Sequence, residues 1–327
     1  MSLGIVVIGR NEGARLRACL QSLPAQATRI YVDSGSTDGS VAAARASGAT
    51  VVELPAGTPF TAALARNRGV AALDPDRTSW VQMIDGDCTL APGWLPAAQA
   101  ALAVDPGLAV VFGRRRERFP QASLFNQLCD DEWNVPVGDA RSCGGDALFR
   151  LDALRAAGGY TPALIAGEEP DLCLRLRQAG WRIRRIDAEM TGHDAAITRF
   201  GQWWRRSERA GHAFAELAWR HRGEGDPAWA RAVASSLGWA VLLPFVTAAL
   251  VWARGPGGLL LLLAYPLQVA RLSWKERRQG WPFALGKAAL LVVSRFSQTR
   301  GAAQFVWRRL TGAGPRLIEY KGAEPAG

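Results

Sequence analysis

The sequence predicts an α/β chain, with a mostly parallel sheet flanked by helices and followed by an α-helical membrane hairpin. Three observations point there. Short β-rich runs alternate with helical patterns through the first half of the chain, the signature of a doubly wound sheet. The predicted strands end in the polar clusters "GRNE", "DSGSTDGS" and "DGD", on the edge where such sheets bind ligands. Beyond Gly223, two long uncharged runs stand between arginine-rich flanks, as membrane spans do.

The elements follow in order. "LGIVVIG" reads as the first strand and "GARLRACLQSL" as a helix with apolar residues at helical spacing. "ATRIYVD" is a strand entering a turn, "SVAAARASGA" a helix and "TVVEL" a strand. "TAALARNRGVAAL" is a helix and "SWVQMID" a strand. From about Gly113 to Gly145 the pattern loosens, consistent with a strand pair and a mobile segment. "DALFRLDALRAAGGY" and "EEPDLCLRLRQAGWRI" read as helices, each ended by glycine.

"TRFGQWWRRSERAGHAFAEL" comes next, an interfacial helix expected at about 198–222. It puts Phe200, Trp203, Trp204, Ser207, Ala210, Phe214 and Leu217 on one helical face and its arginines largely elsewhere. That pattern suits a helix lying in headgroups or one packed on the α/β domain. The stretch between Arg231 and Arg254 holds no charged residue over 22 positions, and 16 more follow Arg254 before the next charge. Spans are expected at about 233–253 and 256–272, the alternative being a buried hairpin of a soluble domain. A third apolar run, carrying Lys287 and Arg295, is expected as an amphipathic or re-entrant segment at about 282–310. The chain thus divides at about 222, with a catalytic-type domain at 1–222 and a membrane region at 223–327.

The formal charge of +10 comes almost entirely from arginine, since only Lys275, Lys287 and Lys321 are lysines. Nucleic acid and an anionic membrane both suit a basic chain. The arginines cluster beside the apolar runs, which favours membrane lipid as partner and excludes nucleic acid. Arg205, Arg206, Arg209, Arg220, Arg222 and Arg231 precede the first run; Arg271, Lys275, Arg277 and Arg278 follow the second; the loop between holds only Arg254. Both flanks are therefore expected on the cytoplasmic face of the cytoplasmic membrane. "MSLGIVVIGRNE" lacks the basic leader and apolar length of a signal peptide. Five scattered cysteines without a C-x-x-C pair speak against zinc and disulfides.

A bare D-x-D is weak evidence of metal, because aspartate and glycine crowd into turns for local reasons. Its setting matters more. There is no Gly-x-x-x-x-Gly-Lys loop and no G-x-G-x-x-G after the first strand, which disfavours kinases, P-loop ATPases and dehydrogenases. A nucleotide diphosphate in this crevice would need a divalent cation, Mg²⁺ or Mn²⁺, on a strand-end acid.

In order along the chain, "IGRNE", "VDSGSTDGS", "ARNRG", "DGD", "CGGDALFR" and "GEEPDLCLRLRQAGW" resemble the motifs of the family 2 glycosyltransferases, of GT-A fold. The resemblance covers about Leu3 to Leu217. It implies a nucleotide-sugar donor, a UDP-sugar in the first instance, contacted by Asn11, Glu12, Asp33, Ser34, Arg66 and Asp85, with Asn67 bracing the loop. Ser34 stands where the family has a second aspartate, which bears on the choice of nucleotide. The resemblance implies a metal on Asp87, with Asp85 touching ribose or metal-bound water and His193 as an added ligand. Cys143, Gly144 and Gly145 would lie beneath the acceptor. Gln202 and Arg205 match part of a Q-x-x-R-W element, but Arg206 replaces its tryptophan, a departure from processive polymer synthases.

The family's Glu-Asp pair falls on Glu168-Glu169, so Glu169 is the expected catalytic base, with Glu168 and Asp171 beside it. Acids at this place also cap a helix start. The implied reaction is a single displacement with inversion, in which an acceptor hydroxyl, deprotonated by Glu169, attacks the anomeric carbon. A membrane-proximal acceptor, such as a lipid-linked saccharide of envelope or exopolysaccharide synthesis, suits the hairpin. The alternatives are a nucleotidyltransferase of similar fold, for which "GRNEGARLR" is a poor match, and a non-catalytic membrane protein that binds nucleotide sugar.

Overall fold

The computed structural model describes residues 2–55, 57–58 and 60–313; residues 314–327, the end of the expected membrane region, lie outside the described residues. The strands are β1 (Ser2–Gly9), β2 (Thr28–Asp33), β3 (Thr50–Glu53), β4 (Thr78–Asp85), β5 (Cys88–Leu90), β6 (Leu108–Glu117), β7 (Gly138–Asp139), β8 (Ala147–Arg150) and β9 (Arg182–His193). The helices are α1 (Gly13–Ser22), α2 (Ser40–Ala46), α3 (Ala62–Ala71), α4 (Trp94–Val104), α5 (Leu124–Glu132), α6 (Leu151–Ala156), α7 (Glu168–Gln178), α8 (Phe200–Arg220), α9 (Pro227–Leu237), α10 (Leu243–Arg254), α11 (Ala264–Glu276) and α12 (Trp281–Thr311).

All nine strands form one sheet, in the order β3-β2-β1-β4-β8-β6-β9-β5, with β7 also on β9. The β3-β2-β1-β4 half is parallel. Its core is a continuous apolar band through Ile5, Val6, Val7, Ile30, Val32, Val81 and Met83, each at most 2 % exposed, because helices cover both faces of such a sheet. The remainder is mixed. β8 is antiparallel to both β4 and β6, and β5 is antiparallel to β9.

Two stretches differ from expectation. Residues 146–160 were expected as one helix, but Ala147–Arg150 is a strand at the centre of the sheet and only Leu151–Ala156 is helical. "ALF" is buried on both faces, and a short apolar run of that kind has no period that separates strand from helix. Within the loosened segment, Leu124–Glu132 forms helix α5, capped by Ser123, whose hydroxyl accepts from the Asn126 N–H at 3.0 Å.

In the C-terminal region, α9 runs through a π-helical turn at Gly238–Leu242 into α10. Pro244 can donate no backbone hydrogen bond and crowds the preceding turn, and the local widening accommodates it. The resulting Pro227–Arg254 helix is, among the described residues, the one long and apolar enough to cross a membrane. The second expected span, 256–272, is broken. Pro256–Leu263 is 3₁₀-helical and α11 begins at Ala264. Large apolar side chains here are exposed, Phe245 at 70 % and Trp252 at 91 %.

The 282–310 segment is the body of α12, which packs along α8. The two backbones touch. A Cβ on Gly301 would lie 1.9 Å from the Glu208 carbonyl oxygen, and one on Gly211 would lie 2.1 Å from that of Gln298. Small residues at this crossing draw α12 against the α/β domain and place it at the cavity described next.

Candidate active site

The parallel half of the sheet brings three strand ends together. Gly9 pairs with Asp33, and Ile8 with Asp85, so the turns after β1, β2 and β4 stand side by side. The fourth contribution arrives from the opposite direction. β9 runs back along β5 with His193 opposite Cys88, which sets His193 against Asp87. These segments, the start of α7, and α8 and α12 enclose a cavity of about 860 Å³.

Its floor is an ion network. Arg66, 3 % exposed, donates to Glu168 at 2.6 Å and to Asp85 at 2.9 Å. Arg115 reaches Asp85 at 3.1 Å and Asp146 at 2.9 Å, and the Thr191 hydroxyl donates to Asp146 at 2.7 Å. Burial alone would loosen the Arg66 and Arg115 protons, but the surrounding carboxylates hold both guanidiniums firmly charged. Gly145 borders the network, and a Cβ there would lie 2.9 Å from an Asp85 carboxylate oxygen.

Asp87 and His193 are 5 % and 6 % exposed, with His193 Nε2 3.3 Å from Asp87 Oδ2. Burial lowers the His193 pKa, so the ring is neutral and keeps a lone pair for a metal. Its Nδ1 has no hydrogen bond, and the Glu117 carboxylate stands behind it at 3.8 Å, beyond hydrogen-bond range. Cys88 lies within reach of both, and burial raises its thiol well above the usual range; Asp87 and His193 themselves offer an oxygen–nitrogen donor set. That set fits Mg²⁺ or Mn²⁺.

Glu169 opens into the same cavity from the first turn of α7. Burial, then the neighbouring Glu168 charge, pushes its pKa up to about 7, with Arg66 pulling the other way. A carboxylate of that basicity suits proton abstraction near neutral pH. Glu168 is different in kind, since its oxygen is committed to Arg66.

The other expected residues divide. Asn11, Glu12 and Ser34 line the cavity. Asn11, at φ 53°, also stitches two turns together, donating its N–H to Ser36 Oγ and accepting from the Thr37 N–H. Asp33 does not line the cavity; its carboxylate accepts from Tyr31 OH and from the N–H groups of Gly35 and Ser36. Asn67 braces a loop by exchanging two hydrogen bonds with the Tyr160 backbone. Asp171 was expected in the catalytic group, but it faces away from the cavity, 1 % exposed, bonded to Thr161, Arg175 and His221. Burial alone would raise its pKa, but those three partners hold it below the usual carboxylate range.

Cys143 is buried with its sulfur 3.6 Å from that of Cys173, and neither it nor Gly144 lines the cavity. Gln202 caps α8 by accepting from the N–H groups of Thr198 and Arg199. Arg205 is exposed, whereas Arg206 and Arg209 line the cavity. The helix turns Arg205 outward once Trp203 and Ser207 face in.

Sequence reasoning missed Arg115, Asp146 and Glu117. Asp146 directly follows the quoted Cys-Gly-Gly and was read as the start of a helix. Arg115 and Glu117 sat in the loosened segment, where "GRRRERF" gives no periodic signal.

Residues 4–134 match the family model for glycosyl transferase family 2. The chain is 31 % identical over 192 residues to an uncharacterized glycosyltransferase of Mycobacterium tuberculosis, a match covering 54 % of this chain and 79 % of that one. It is 31 % identical over 176 residues to a pre-mycofactocin glycosyltransferase of M. tuberculosis, covering 50 % of this chain but only 36 % of that protein's length. A mannosyltransferase from Pyrobaculum calidifontis, solved with GDP-Man and Mn²⁺, superposes with a TM-score of 0.65 at 19 % identity, over 94 % of this chain and 87 % of that one.

Proposed function

The chain belongs to the family 2 glycosyltransferases, and from that premise we propose that it moves a sugar from a nucleotide-sugar donor, a UDP-sugar in the first instance, to a hydroxyl of a membrane-proximal acceptor with inversion. One observation carries the reading. Glu169, the Asp87–His193 pair and the Arg66–Asp85 network, drawn from distant parts of the chain, line one cavity.

Glu169 is the base. Its carboxylate takes the proton from the acceptor hydroxyl as the oxygen attacks the anomeric carbon, and the bond from that carbon to the diphosphate breaks on the opposite face. Asp87 and His193 would hold the divalent cation. When bound, it supplies Lewis-acid stabilisation of the departing diphosphate. Arg66 holds Glu168 and Asp85 in place, so the acids flanking the donor neither collapse together nor turn away. Ser34, Asn11 and Glu12 border the nucleotide end of the cavity. α8 and α12 present Trp203, Phe214, Leu290 and Leu291 beside Arg206, Arg209 and Lys287, a mixed apolar and basic wall that suits an acceptor with a lipid part and an anionic group, such as a lipid-linked saccharide.

The same wall supports membrane association, because α12 packs on α9, the first part of the apolar Pro227–Arg254 helix. With arginines crowded on both flanks of the apolar runs, the catalytic domain is assigned to the cytoplasmic face. The test is a panel of UDP- and GDP-sugars with Mn²⁺ on the purified chain. Turnover of one donor by wild type, lost in Glu169→Gln with donor binding retained, is the expected result. Binding without turnover by wild type across the panel, with acceptor-bearing membrane extract present, would leave a nucleotide-sugar-binding protein instead.

A further inference from the structure

A second, smaller pocket of about 270 Å³ lies away from the acids, lined by Glu216, Trp219, Arg220, Arg222, Phe305 and Arg309. Trp219, near the end of α8, is 42 % exposed. Arg222 lies over its ring at 3.3 Å from the centroid, and Arg309, from the last turn of α12, approaches the same ring at 5.6 Å. Cation–π contact positions both guanidiniums. Neither has a carboxylate partner among the described residues. The one carboxylate lining the pocket, Glu216, is committed to Arg220 at 3.2 Å and lies 3.6 Å from His212. Among the residues lining the pocket, Arg220, Arg222 and Arg309 against Glu216 leave a net charge of +2.

We propose that this corner is a seat for the phosphate of an anionic phospholipid. Arginine forks match phosphate oxygens, and a tryptophan half in water and half in apolar surroundings is the side chain of the headgroup level. Its neighbours fit a bilayer. The apolar Pro227–Arg254 helix starts five residues after Arg222 and is tied to the same stretch of α8, since Trp229 and Leu217 share one buried cluster. Beside Arg309, α12 exposes Trp307 at 68 % and Leu310 at 78 %. Elsewhere on α8 and α12, Arg206 pairs with Glu132 and Lys287 with Asp131 and Glu276, whereas Arg205 is exposed. The pocket holding Arg222 and Arg309 therefore stands where the Pro227–Arg254 helix departs. The proposal rests on the membrane-associated reading of the chain.

The experiment uses the full chain in nanodiscs of equal parts phosphatidylcholine and phosphatidylglycerol, with retained lipid counted by mass spectrometry after detergent exchange. Wild type is expected to enrich phosphatidylglycerol. Each arginine at an anionic surface contributes roughly a fivefold preference, so Arg222→Gln/Arg309→Gln should bring the ratio close to parity. Arg309→Gln alone, at an exposed helix end, should lower it about fivefold. Arg77→Gln, far from the corner, should change nothing. Equal retention of both lipids by wild type, unchanged enrichment in both variants, or displacement of the lipid by inorganic phosphate would each overturn the site. Flotation with pure phosphatidylcholine vesicles separates the two failures. A chain that floats without enrichment loses only this site, and a chain that does not float loses the membrane reading with it.

Discussion

Replacing Glu169 by glutamine separates catalysis from stability, because the two should move in opposite directions. The wild-type carboxyl has its pKa raised from 4.5 to about 7. Folding therefore binds its proton more tightly. The associated stability is fully present below the unfolded pKa and is lost as pH rises through about 7. Above that pH, the wild type holds a charge the cavity disfavours, at a cost on the order of a few kcal/mol. Glutamine carries no such charge. It also leaves Arg66 with both of its carboxylate partners, Glu168 and Asp85. Glu169→Gln should thus melt higher than wild type at pH 8 and close to it at pH 4. Loss of a positioned base should lower kcat by about 10²- to 10⁴-fold, or about 3–5 kcal/mol of barrier, with donor affinity unchanged. In the wild type, kcat/KM should fall about tenfold per pH unit below about 7, and this limb should vanish in the variant. The assays are donor turnover across pH and thermal denaturation at the two pH values. A variant with more than a tenth of wild-type kcat, or one that melts lower at pH 8, would refute the base assignment.

Other expected outcomes follow from the same geometry. Arg66→Gln strands Glu168, only 6 % exposed, while Asp85 keeps Arg115, and should cost about 3–5 kcal/mol in chemical denaturation; a loss under 1 kcal/mol, roughly that of an exposed pair, would show the network to be solvated. Mn²⁺ should raise the wild-type melting temperature, by about 2.7 kcal/mol of stabilisation at a hundredfold excess over Kd, and Asp87→Ala and His193→Ala should each abolish the rise; persistence in both would move the metal elsewhere. Gly301→Ala should cost about 1–3 kcal/mol, since its Cβ would sit 1.9 Å from the Glu208 carbonyl, and an unchanged denaturation midpoint would contradict the α8–α12 contact. Asp171→Asn should lower stability at pH 7. The gap should narrow in acid, because a depressed carboxyl contributes above its unfolded pKa and loses that contribution as pH falls through its folded pKa.

The chain's local patterns carry much of this protein. Apolar runs alternating with helical spacing gave the parallel half of the sheet, each of β1 to β4 within a residue or two of its observed limits. The acids at the ends of β1, β2 and β4 were legible because a parallel sheet puts all its strand ends on one edge. Glu169 was placed by the resemblance of "GEEPDLCLRLRQAGW" to a family motif, and it lines the cavity. Where the sheet ceases to alternate, the reading failed. β8 is a central strand with no alternation to reveal it, and the stretch holding Arg115 and Glu117 has no period at all.

By itself, the sequence determined the alternation of elements, the acid-bearing strand ends and the concentration of arginine around an apolar region, since each is a property of neighbours in the chain. Only the tertiary structure decided which of those groups meet. It turned Asp171 inward to His221 and Cys143 to Cys173, put Arg206 and Arg209 rather than Arg205 on the cavity, and brought Arg115 and Asp146 under Asp85. The physical reason is that side-chain partnership depends on sheet order, on strand direction and on the close crossing of α8 and α12 at Gly211 and Gly301. All three are set by burying the whole chain's apolar surface at once.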